Sequence, residues 1–326
     1  MRFTFYSMAK HNYILDMIRF VAAFAVILFH LNLFWVKNHN WYTDLVIYGW
    51  LGVPMFFVLS GYCIMISAKN VSTPADFLIR RFFRIFPTYW VSLIVILCSA
   101  IFQKLYTGTN SVANLPHSIN DIISTIFLVT YPLTKTQISN FVYWTLTCEI
   151  IFYLITSLSL YTKNEQLRII IFSLVSVVSL FIPFQRTGYL FFFSYWSSFC
   201  LGTCLFLLSQ KNSKTNAYLI ILLTIINIYD LCIKHLSINE VEFIITVFLT
   251  LGIIILSNFV VVKENFISKL GKYSYAQYLI HVPIGVFVFA RFKSSYIQHH
   301  PIITILYDLG IYALKSNRRH FDWKGI

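Results

Sequence analysis

The sequence has few charged residues. Only 11% of its 326 residues are Asp, Glu, Lys or Arg, whereas 58% are hydrophobic and 18% are aromatic. About a quarter of the residues in an average soluble domain are charged, so this composition indicates a membrane protein. The many aromatic and aliphatic residues exclude an intrinsically disordered chain. The apolar residues form long runs rather than alternating with polar ones, which argues against a β-barrel.

Several signatures of other protein classes are missing from the sequence. It contains no Gly-x-Ser-x-Gly elbow, no Walker phosphate loop, no His-Glu-x-x-His zinc motif and no Rossmann glycine pattern. These absences weaken the case for a soluble hydrolase, a nucleotide-driven pump or a dehydrogenase. The six cysteines lie in apolar stretches and form no Cys-x-x-Cys pair, so we interpret them as small buried residues. No metal site is predicted, because His299 and His300 have too few neighbouring ligands.

The apolar runs predict an all-α, polytopic membrane bundle that forms a single domain over 1–326. A spanning helix needs about 20 mostly apolar residues. Segment 122–133 is too short to cross and is interpreted as interfacial or re-entrant. Ten candidate spans follow from this criterion: 14–36, 46–68, 85–106, 141–161, 168–184, 189–209, 217–233, 243–262, 273–293 and 300–314.

Lys and Arg are distributed unevenly between the loops that these spans define. With the N-terminus in the cytoplasm, seventeen of the 25 Lys and Arg residues lie on the inner side and seven on the outer side, with Arg19 inside the first span. This bias predicts ten spans in the inner (plasma) membrane, with both termini cytoplasmic. It also accounts for the net charge of +13 without a nucleic-acid partner.

The first predicted span carries Arg19 and His30 within an apolar helix. The two residues are eleven positions apart, so they share a helical face and are separated by about 16 Å along the axis. Ionisable groups inside a bilayer are costly and are functional candidates by default. Two alternatives remain open: Arg19 could snorkel to the inner headgroups, and His30 could be a hydrogen-bonded packing residue.

Three arginines, Arg80, Arg81 and Arg84, cluster at the inner end of the third span. Arginine forks bind phosphate oxygens in pairs, which is typical of a site for a phosphorylated donor. The alternative is that the cluster serves membrane topology and lipid headgroups.

Glu149 lies about 12 Å below the outer edge of the fourth span. A carboxylate at that depth needs a partner, and His30 is the expected one because both lie in the outer half. A His–carboxylate pair would fix the tautomer of a general base. A structural contact between helices is the alternative.

The ninth span carries His281 near mid-membrane, preceded by Ser274, Tyr275, Gln277 and Tyr278. This polar stripe is either part of a site or a set of internal hydrogen bonds. Gly49, Gly52, Pro54 and Gly61 interrupt the second span, which indicates either a bent helix beside a cavity or close helix packing.

Together these segments resemble the acyltransferase 3 family of integral-membrane enzymes. Five motifs carry the resemblance in order along the chain: LDMIRFVAAFAVILFH with Arg19 and His30, GVPMFFVLSG at 52–61, RRFFRIFPTY at 80–89, WTLTCEIIFY at 144–153 and GKYSYAQYLIH at 271–281.

The resemblance implies transfer of an acyl group, usually acetyl, from cytoplasmic acyl-coenzyme A to a hydroxyl of a cell-surface or lipid-linked polysaccharide such as O-antigen. It implies His30 as the catalytic histidine, and it matches Arg19, Arg81 and Arg84 to positions tied to donor use and Glu149 to the family's acidic position. We expect His30, Glu149 and Arg19 to be catalytic residues. We expect Arg80, Arg81 and Arg84 to bind the donor. We expect His281, Trp144 and Ser274 to contribute to substrate binding. The expected partners are the lipid bilayer, acetyl-coenzyme A as co-substrate and a lipid-linked or nascent glycan.

Three other interpretations stay open. A transporter or flippase also uses buried His, Arg and Glu on broken helices, although no inverted repeat is visible. The acceptor could instead be a small molecule. The chain after about residue 300 is atypical of the family, with a short last span that holds Asp308, which would fit a non-catalytic remnant.

Overall fold

The structure is a computed structural model that describes residues 11–33, 40–108, 113–210, 212–283, 285, 293, 297 and 300–316. Within these residues every regular element is helical, so the predicted all-α class is confirmed. The α-helices are α1 (Tyr13–Asn32), α2 (Trp41–Val46), α3 (Gly52–Lys69), α4 (Pro74–Thr107), α5 (Ile119–Ile126), α6 (Trp144–Ser159), α7 (Glu165–Leu180), α8 (Trp196–Leu208), α9 (Lys214–Leu236), α10 (Val241–Ser257), α11 (Phe266–Gly271), α12 (Ser274–Ile280) and α13 (Pro301–Ser316). Short 3₁₀ turns cover Ile47–Leu51, Phe141–Tyr143 and Phe191–Ser194.

The chain is a multi-pass membrane protein. Among the described residues, five helical stretches are long and apolar enough to cross a bilayer: Tyr13–Asn32, Trp41–Lys69, Pro74–Tyr106, Phe141–Ser159 and Lys214–Leu236. Shorter apolar helices occupy Trp196–Leu208, Val241–Ser257 and Pro301–Ala313, where three more spans were predicted. The count of ten spans and the orientation of the termini remain predictions.

Some predicted spans are built differently from a single continuous helix. The second is made from α2, a 3₁₀ turn and α3, so the break in the helix precedes Gly52. The ninth begins with the seven residues of α12 and continues as a π-helical turn over 281–283; most of its remainder lies outside the described residues. The interfacial segment 122–133 forms only the short helix α5, which begins earlier, at Ile119.

Helix α3 packs very closely against two neighbours through its glycines. A Cβ on Gly52 would lie 2.3 Å from the backbone oxygen of Ala22 in α1, and one on Gly61 would lie 1.9 Å from that of Phe199 in α8. Only glycine permits such an approach, as is common where membrane helices meet. The close-packing interpretation of this motif is therefore confirmed, and it brings α1 and α3 together beside the candidate site.

The last described helix, α13, is tied to the bundle by a buried ion pair. Nζ of Lys293 lies 3.0 Å from Oδ1 of Asp308, and both side chains are almost fully buried. Asn32 on α1 and Tyr42 on α2 also donate to Asp308, at 2.9 and 2.8 Å. Tyr312 donates to Gln277 at 3.0 Å. The atypical end of the chain is thus packed into the fold as far as Ser316, and residues 317–326 lie outside the described part.

A second buried ion pair joins α9 to its neighbours. Nζ of Lys234 lies 2.8 Å from Oδ1 of Asp230 and donates to Ser179 and to the backbone oxygen of Phe193. The sequence placed Lys234 in an outer loop, but its side chain is buried because three acceptors replace water around the ammonium group.

Candidate active site

A cavity between helices α1, α3, α4, α6 and α12 collects most of the polar residues singled out from the sequence. The empty space within it, including the part open to solvent, is about 800 Å³. We call it the central cavity. The charged and polar side chains at one end and in the middle are Arg19, Arg81, Arg84, Glu149, Tyr153 and Ser274.

Two of the three clustered arginines face the central cavity. Arg81 donates to Oγ of Ser67 at 2.7 Å, while its Nε is buried without a hydrogen-bond partner in the described residues. Arg84 lines the cavity and makes no hydrogen bond or ion pair within the described part of the chain. Arg84 is exposed and lines the cavity, so its guanidinium can meet an anion there.

Arg80 differs from these two arginines. It is exposed, as Arg84 is, but it does not line the central cavity. We expected the three arginines to bind the donor together. The structure places only Arg81 and Arg84 at the cavity.

Arg19 is fixed in the cavity wall by an acidic partner on its own helix. Its Nη1 lies 2.7 Å from Oδ1 of Asp16, and its Nη2 donates to Sγ of Cys63 on α3 at 3.0 Å. The other oxygen of the buried Asp16 lies 2.6 Å from Nε2 of His11. Contacts within the protein, rather than lipid headgroups alone, therefore orient the guanidinium of Arg19. This guanidinium lines the central cavity.

Glu149 does not contact His30, so the predicted pair is wrong. The carboxylate accepts a short hydrogen bond from the hydroxyl of Tyr153 and a longer one, at 3.5 Å, from Ser60. Tyr153 lies one turn further along α6, and Ser60 is on α3. The interhelical packing thus turns Glu149 into the central cavity, toward the arginines, and away from the outer end of α1.

The partner of His30 is His281. Nδ1 of His30 lies 2.8 Å from Nε2 of His281, and the two rings are stacked with centroids 4.9 Å apart. His281 is fully buried, and its Nδ1 lies 2.5 Å from the backbone oxygen of Tyr278. The π-helical turn that begins at His281 follows directly on α12, and such turns occur often at functional sites.

These contacts determine which ring nitrogen of His30 is basic. A carbonyl oxygen only accepts hydrogen bonds, so Nδ1 of His281 carries a hydrogen and its Nε2, in the neutral ring, is an acceptor. Nδ1 of His30 must then donate to that nitrogen. In this tautomer Nε2 of a neutral His30 carries no hydrogen, as a general base or nucleophile requires.

Phe56, Thr145 and Tyr278 line the central cavity on the side of His281, whose ring centroid lies 5.6 Å from that of Tyr278, and we call these three residues the constriction. The Tyr278 hydroxyl lies 3.0 Å from Oγ1 of Thr145 and 3.3 Å from the backbone oxygen of Val142. The rings of Phe56 and Tyr278 meet edge to face at 5.8 Å. His30 does not line the cavity; it lies beyond the constriction, next to His281.

The three residues expected to contribute to substrate binding have different positions. Ser274 is buried and lines the central cavity. His281 lies behind Tyr278 and contacts His30 rather than the cavity. Trp144 is half-buried and packs against Phe57 and Tyr195, with centroids 6.0 and 5.0 Å apart, next to the lining residue Thr145.

Sequence analysis did not single out Tyr278 as part of the constriction or Asp16 as the partner of Arg19. The signal for Asp16 was present: a carboxylate three residues before an intramembrane arginine shares its helical face. Tyr278 had no comparable signal, because tyrosines are common in this chain and only the packing of α3, α6 and α12 brings it to the constriction.

Comparison with known proteins identifies relatives of the whole region. Residues 12–314 match the acyltransferase domain of the acyltransferase 3 family. A peptidoglycan O-acetyltransferase of Listeria monocytogenes is 37% identical over 94 residues, which is 27% of this chain and 14% of that protein. A Staphylococcus aureus protein named as an O-acetyltransferase is 30% identical over 133 residues, 39% of this chain and 19% of that protein.

Nodulation protein 10 of Rhizobium leguminosarum is 29% identical over 158 residues, covering 44% of this chain and 43% of that protein. The chain thus covers less than half of the length of each of these relatives. No solved structure matches it significantly. The family match extends over nearly all described helices and includes every residue of the central cavity, so the chain belongs to the acyltransferase 3 family of membrane O-acyltransferases.

Proposed function

We propose that this protein transfers an acyl group, most plausibly acetyl, from cytoplasmic acyl-coenzyme A to a hydroxyl of a cell-surface or lipid-linked polysaccharide such as O-antigen. One observation carries the proposal: guanidinium groups line the central cavity, and the lining residue Tyr278 contacts His281, which is paired with His30. A donor with phosphates at one end and a thioester at the other fits this order.

The arginine end of the cavity suits the phosphates of coenzyme A. Arg84 has no protein acceptor within the described residues, and Arg81 keeps Nε without a partner. Guanidinium groups bind phosphate oxygens through short, charge-assisted hydrogen bonds. Arg19, held by Asp16, presents a third cation along the path of the pantetheine arm.

The middle of the cavity offers acceptors and donors for the amides of that arm. Glu149 and Ser60 lie on facing helices, and Ser274 lies on a third. We therefore assign Glu149 to the donor site rather than to His30. Its negative charge also compensates part of the positive charge of the arginines while the cavity holds no phosphate.

The chemical step uses His30. Its Nε2 takes the proton of the acceptor hydroxyl, the oxygen attacks the thioester carbonyl, the C–S bond breaks, and the proton passes to the coenzyme A thiolate. In the alternative, Nε2 attacks the thioester itself, releases coenzyme A and passes the acyl group from the imidazole to the hydroxyl. Both routes need the tautomer that His281 imposes, so the geometry is compatible with either.

The glycan acceptor is supported by the names of the relatives. One of them is a peptidoglycan O-acetyltransferase, and others are named as O-acetyltransferases. A small-molecule acceptor is the second candidate. A transporter is disfavoured by the family match.

The test compares cells that express the wild-type protein with cells that express His30→Ala at equal membrane levels. Surface polysaccharides and peptidoglycan are released and weighed by mass spectrometry. We expect a glycan that carries the added mass of one acetyl group only with the wild-type protein. Identical glycans in both strains, with acetylated small molecules differing instead, would favour the second acceptor class; no difference in either would overturn the proposal.

A further inference from the structure

Helix α13 contacts both helices that carry the histidine pair. Its residues Asp308 and Tyr312 are four positions apart, so they lie on one face of the helix, one turn from each other. Asn32 of α1 donates to Oδ2 of Asp308 at 2.9 Å. Tyr312 donates to Oε1 of Gln277 on α12 at 3.0 Å. One face of α13 therefore holds α1 and α12 at the same time.

Both contacts lie close to the histidines. Asn32 follows His30 by two residues, which is about 3 Å along the axis of α1. Gln277 precedes His281 by one turn, and its backbone oxygen accepts the hydrogen bond from the backbone N–H of His281. A displacement at either contact would therefore move the histidine on the same helix.

The side chain of Tyr312 touches both helices. It is buried, its hydroxyl reaches Gln277, and its ring meets that of Phe24 on α1 edge to face, with centroids 5.0 Å apart. It also belongs to a small buried cluster with Ile27 and Leu31 of α1. These two residues lie three positions before and one position after the histidine of that helix. Tyr312 thus fixes α12 relative to the part of α1 that carries the paired imidazole.

We propose that Asp308 and Tyr312 are positioning residues, which set the distance and angle between the rings of the histidine pair. This inference rests on the proposed function. Neither side chain is among the residues that line the central cavity, so both act through the helices that they contact. The bond between the two rings needs aligned donor and acceptor atoms, and a misplacement of about 1 Å can cost about 100-fold in rate. The last helix, which is atypical of the family, is then needed for the chemical step.

The experiment uses membrane vesicles that contain the full-length protein, the endogenous acceptor and labelled acetyl-coenzyme A. Tyr312→Phe keeps the ring and removes only the hydrogen bond to Gln277. We expect kcat to fall by about three- to tenfold, the effect of one hydrogen bond, while the KM for acetyl-coenzyme A stays unchanged. The acid limb of the pH–rate profile, which reports the protonation of the catalytic base, should shift. Asp308→Asn should change kcat and the profile in the same way.

A double-mutant cycle tests whether Tyr312 acts through Gln277. Gln277→Met removes the acceptor at a similar side-chain volume, so it should lower kcat to the same extent as Tyr312→Phe. The double variant should be no slower than either single variant, because the two substitutions remove the same bond.

Two matched variants separate positioning from stability. Tyr89→Phe removes the hydroxyl of another buried tyrosine, which donates to the backbone oxygen of Thr125 on α5. Asp230→Asn disrupts a similarly buried pair with Lys234, on α9. Both substitutions can lower the melting temperature, but kcat and the shape of the pH–rate profile should stay those of the wild type.

The outcomes separate this inference from the proposed function. Transfer by the wild type with unchanged kcat and unchanged profile in Tyr312→Phe would overturn the inference. Equal changes in the matched variants would also overturn it, since loss of stability would then explain the effect. If Asp308→Asn does not fold, Tyr312→Phe decides. Absence of any transfer by the wild type would instead contradict the proposed function, on which the inference rests.

Discussion

Nδ1 of His30 lies 2.8 Å from Nε2 of His281, although the two residues are 251 positions apart in the chain. In the proposed mechanism the first helix supplies the reactive imidazole, and the turn after α12 supplies the group that orients it. His281 is in turn anchored by the backbone of Tyr278. The acid–base unit that we propose is therefore a pair of histidines rather than a histidine and a carboxylate.

Replacing either histidine should abolish most of the activity. We expect His30→Ala to lower the acyl-transfer rate by about 10²–10⁴-fold, the range that general-base catalysis contributes. His281→Leu should act in the same direction, whereas His281→Gln, which can still accept from Nδ1 of His30, should retain more activity. Label transfer from acetyl-coenzyme A in vesicles measures both, and the exposed His117→Ala serves as the control. Full activity of His281→Leu would contradict the pairing.

The three arginines should differ in their effect on the KM for acyl-coenzyme A. Arg84→Gln and Arg81→Gln should raise the KM for acyl-coenzyme A by about tenfold or more, because each removes a charge-assisted hydrogen bond to the donor. Arg80→Gln should leave the KM near the wild-type value, since Arg80 is exposed and does not line the central cavity. Equal effects of all three substitutions would mean that surface charge, rather than the cavity, governs donor use.

Glu149→Gln should behave as a donor-site variant. Because the carboxylate touches Tyr153 and Ser60 and not His30, we expect a higher KM for acyl-coenzyme A with an unchanged shape of the pH–rate profile. Tyr153→Phe should show a smaller change of the same kind. His281→Gln is the comparison variant, because its loss of activity should come with a changed shape of the pH–rate profile. A shifted profile for Glu149→Gln would restore the pair that sequence analysis expected.

The buried pair of Lys293 and Asp308 should matter for stability. Asp308→Asn leaves the ammonium group with a weaker partner and should lower the free energy of unfolding by about 3–5 kcal/mol. The combined change Lys293→Met and Asp308→Leu should recover only part of this loss, because it removes the unpaired charge but leaves the buried donors of Asn32 and Tyr42 without their acceptor. Thermal unfolding in detergent measures both. The exposed pair of Lys272 and Glu264 is the control, and Lys272→Met should have no measurable effect.

Two glycines should respond oppositely to the same substitution. Gly61→Ala places a methyl group 1.9 Å from the backbone oxygen of Phe199, so α3 and α8 must separate and the folded yield should fall sharply. Gly252→Ala meets nothing within 4 Å and removes a flexible residue from a helix, so stability should be unchanged or higher by up to about 1 kcal/mol. Equal folded yields for both variants in membranes would show that the α3–α8 contact tolerates movement.

The sequence predicted the helices well because burial in a bilayer requires long apolar runs. It also predicted Arg19, Arg81 and Arg84 as neighbours of one site, since two are on one helical face and all lie near the inner side. It failed for Glu149, because depth along a helix says nothing about the direction in which the side chain points. The packing of α6 against α3 and α4 decides that direction.

The same reasoning explains two further differences. Asp308 and Asp230 received little weight because they lie near the ends of predicted spans, yet each is buried with a lysine. The rule that a buried carboxylate needs a cation applies at span ends as well, and applying it there would have indicated both pairs. The pair of His30 and His281 depends on a π-helical turn, which apolar periodicity does not reveal.

The hydroxyl contact between Tyr278 and Thr145 also matters for the electrical potential across the membrane. Arginine and glutamate within a membrane face water, so a route from one surface through the cavity to His30 and outward would let protons leak. Each charge that crosses dissipates about 2.3 kcal/mol per 100 mV of membrane potential. In the proposed mechanism the Tyr278 ring, which lies between the cavity and the ring of His281, would let an acyl group be transferred across a charged membrane without opening such a route.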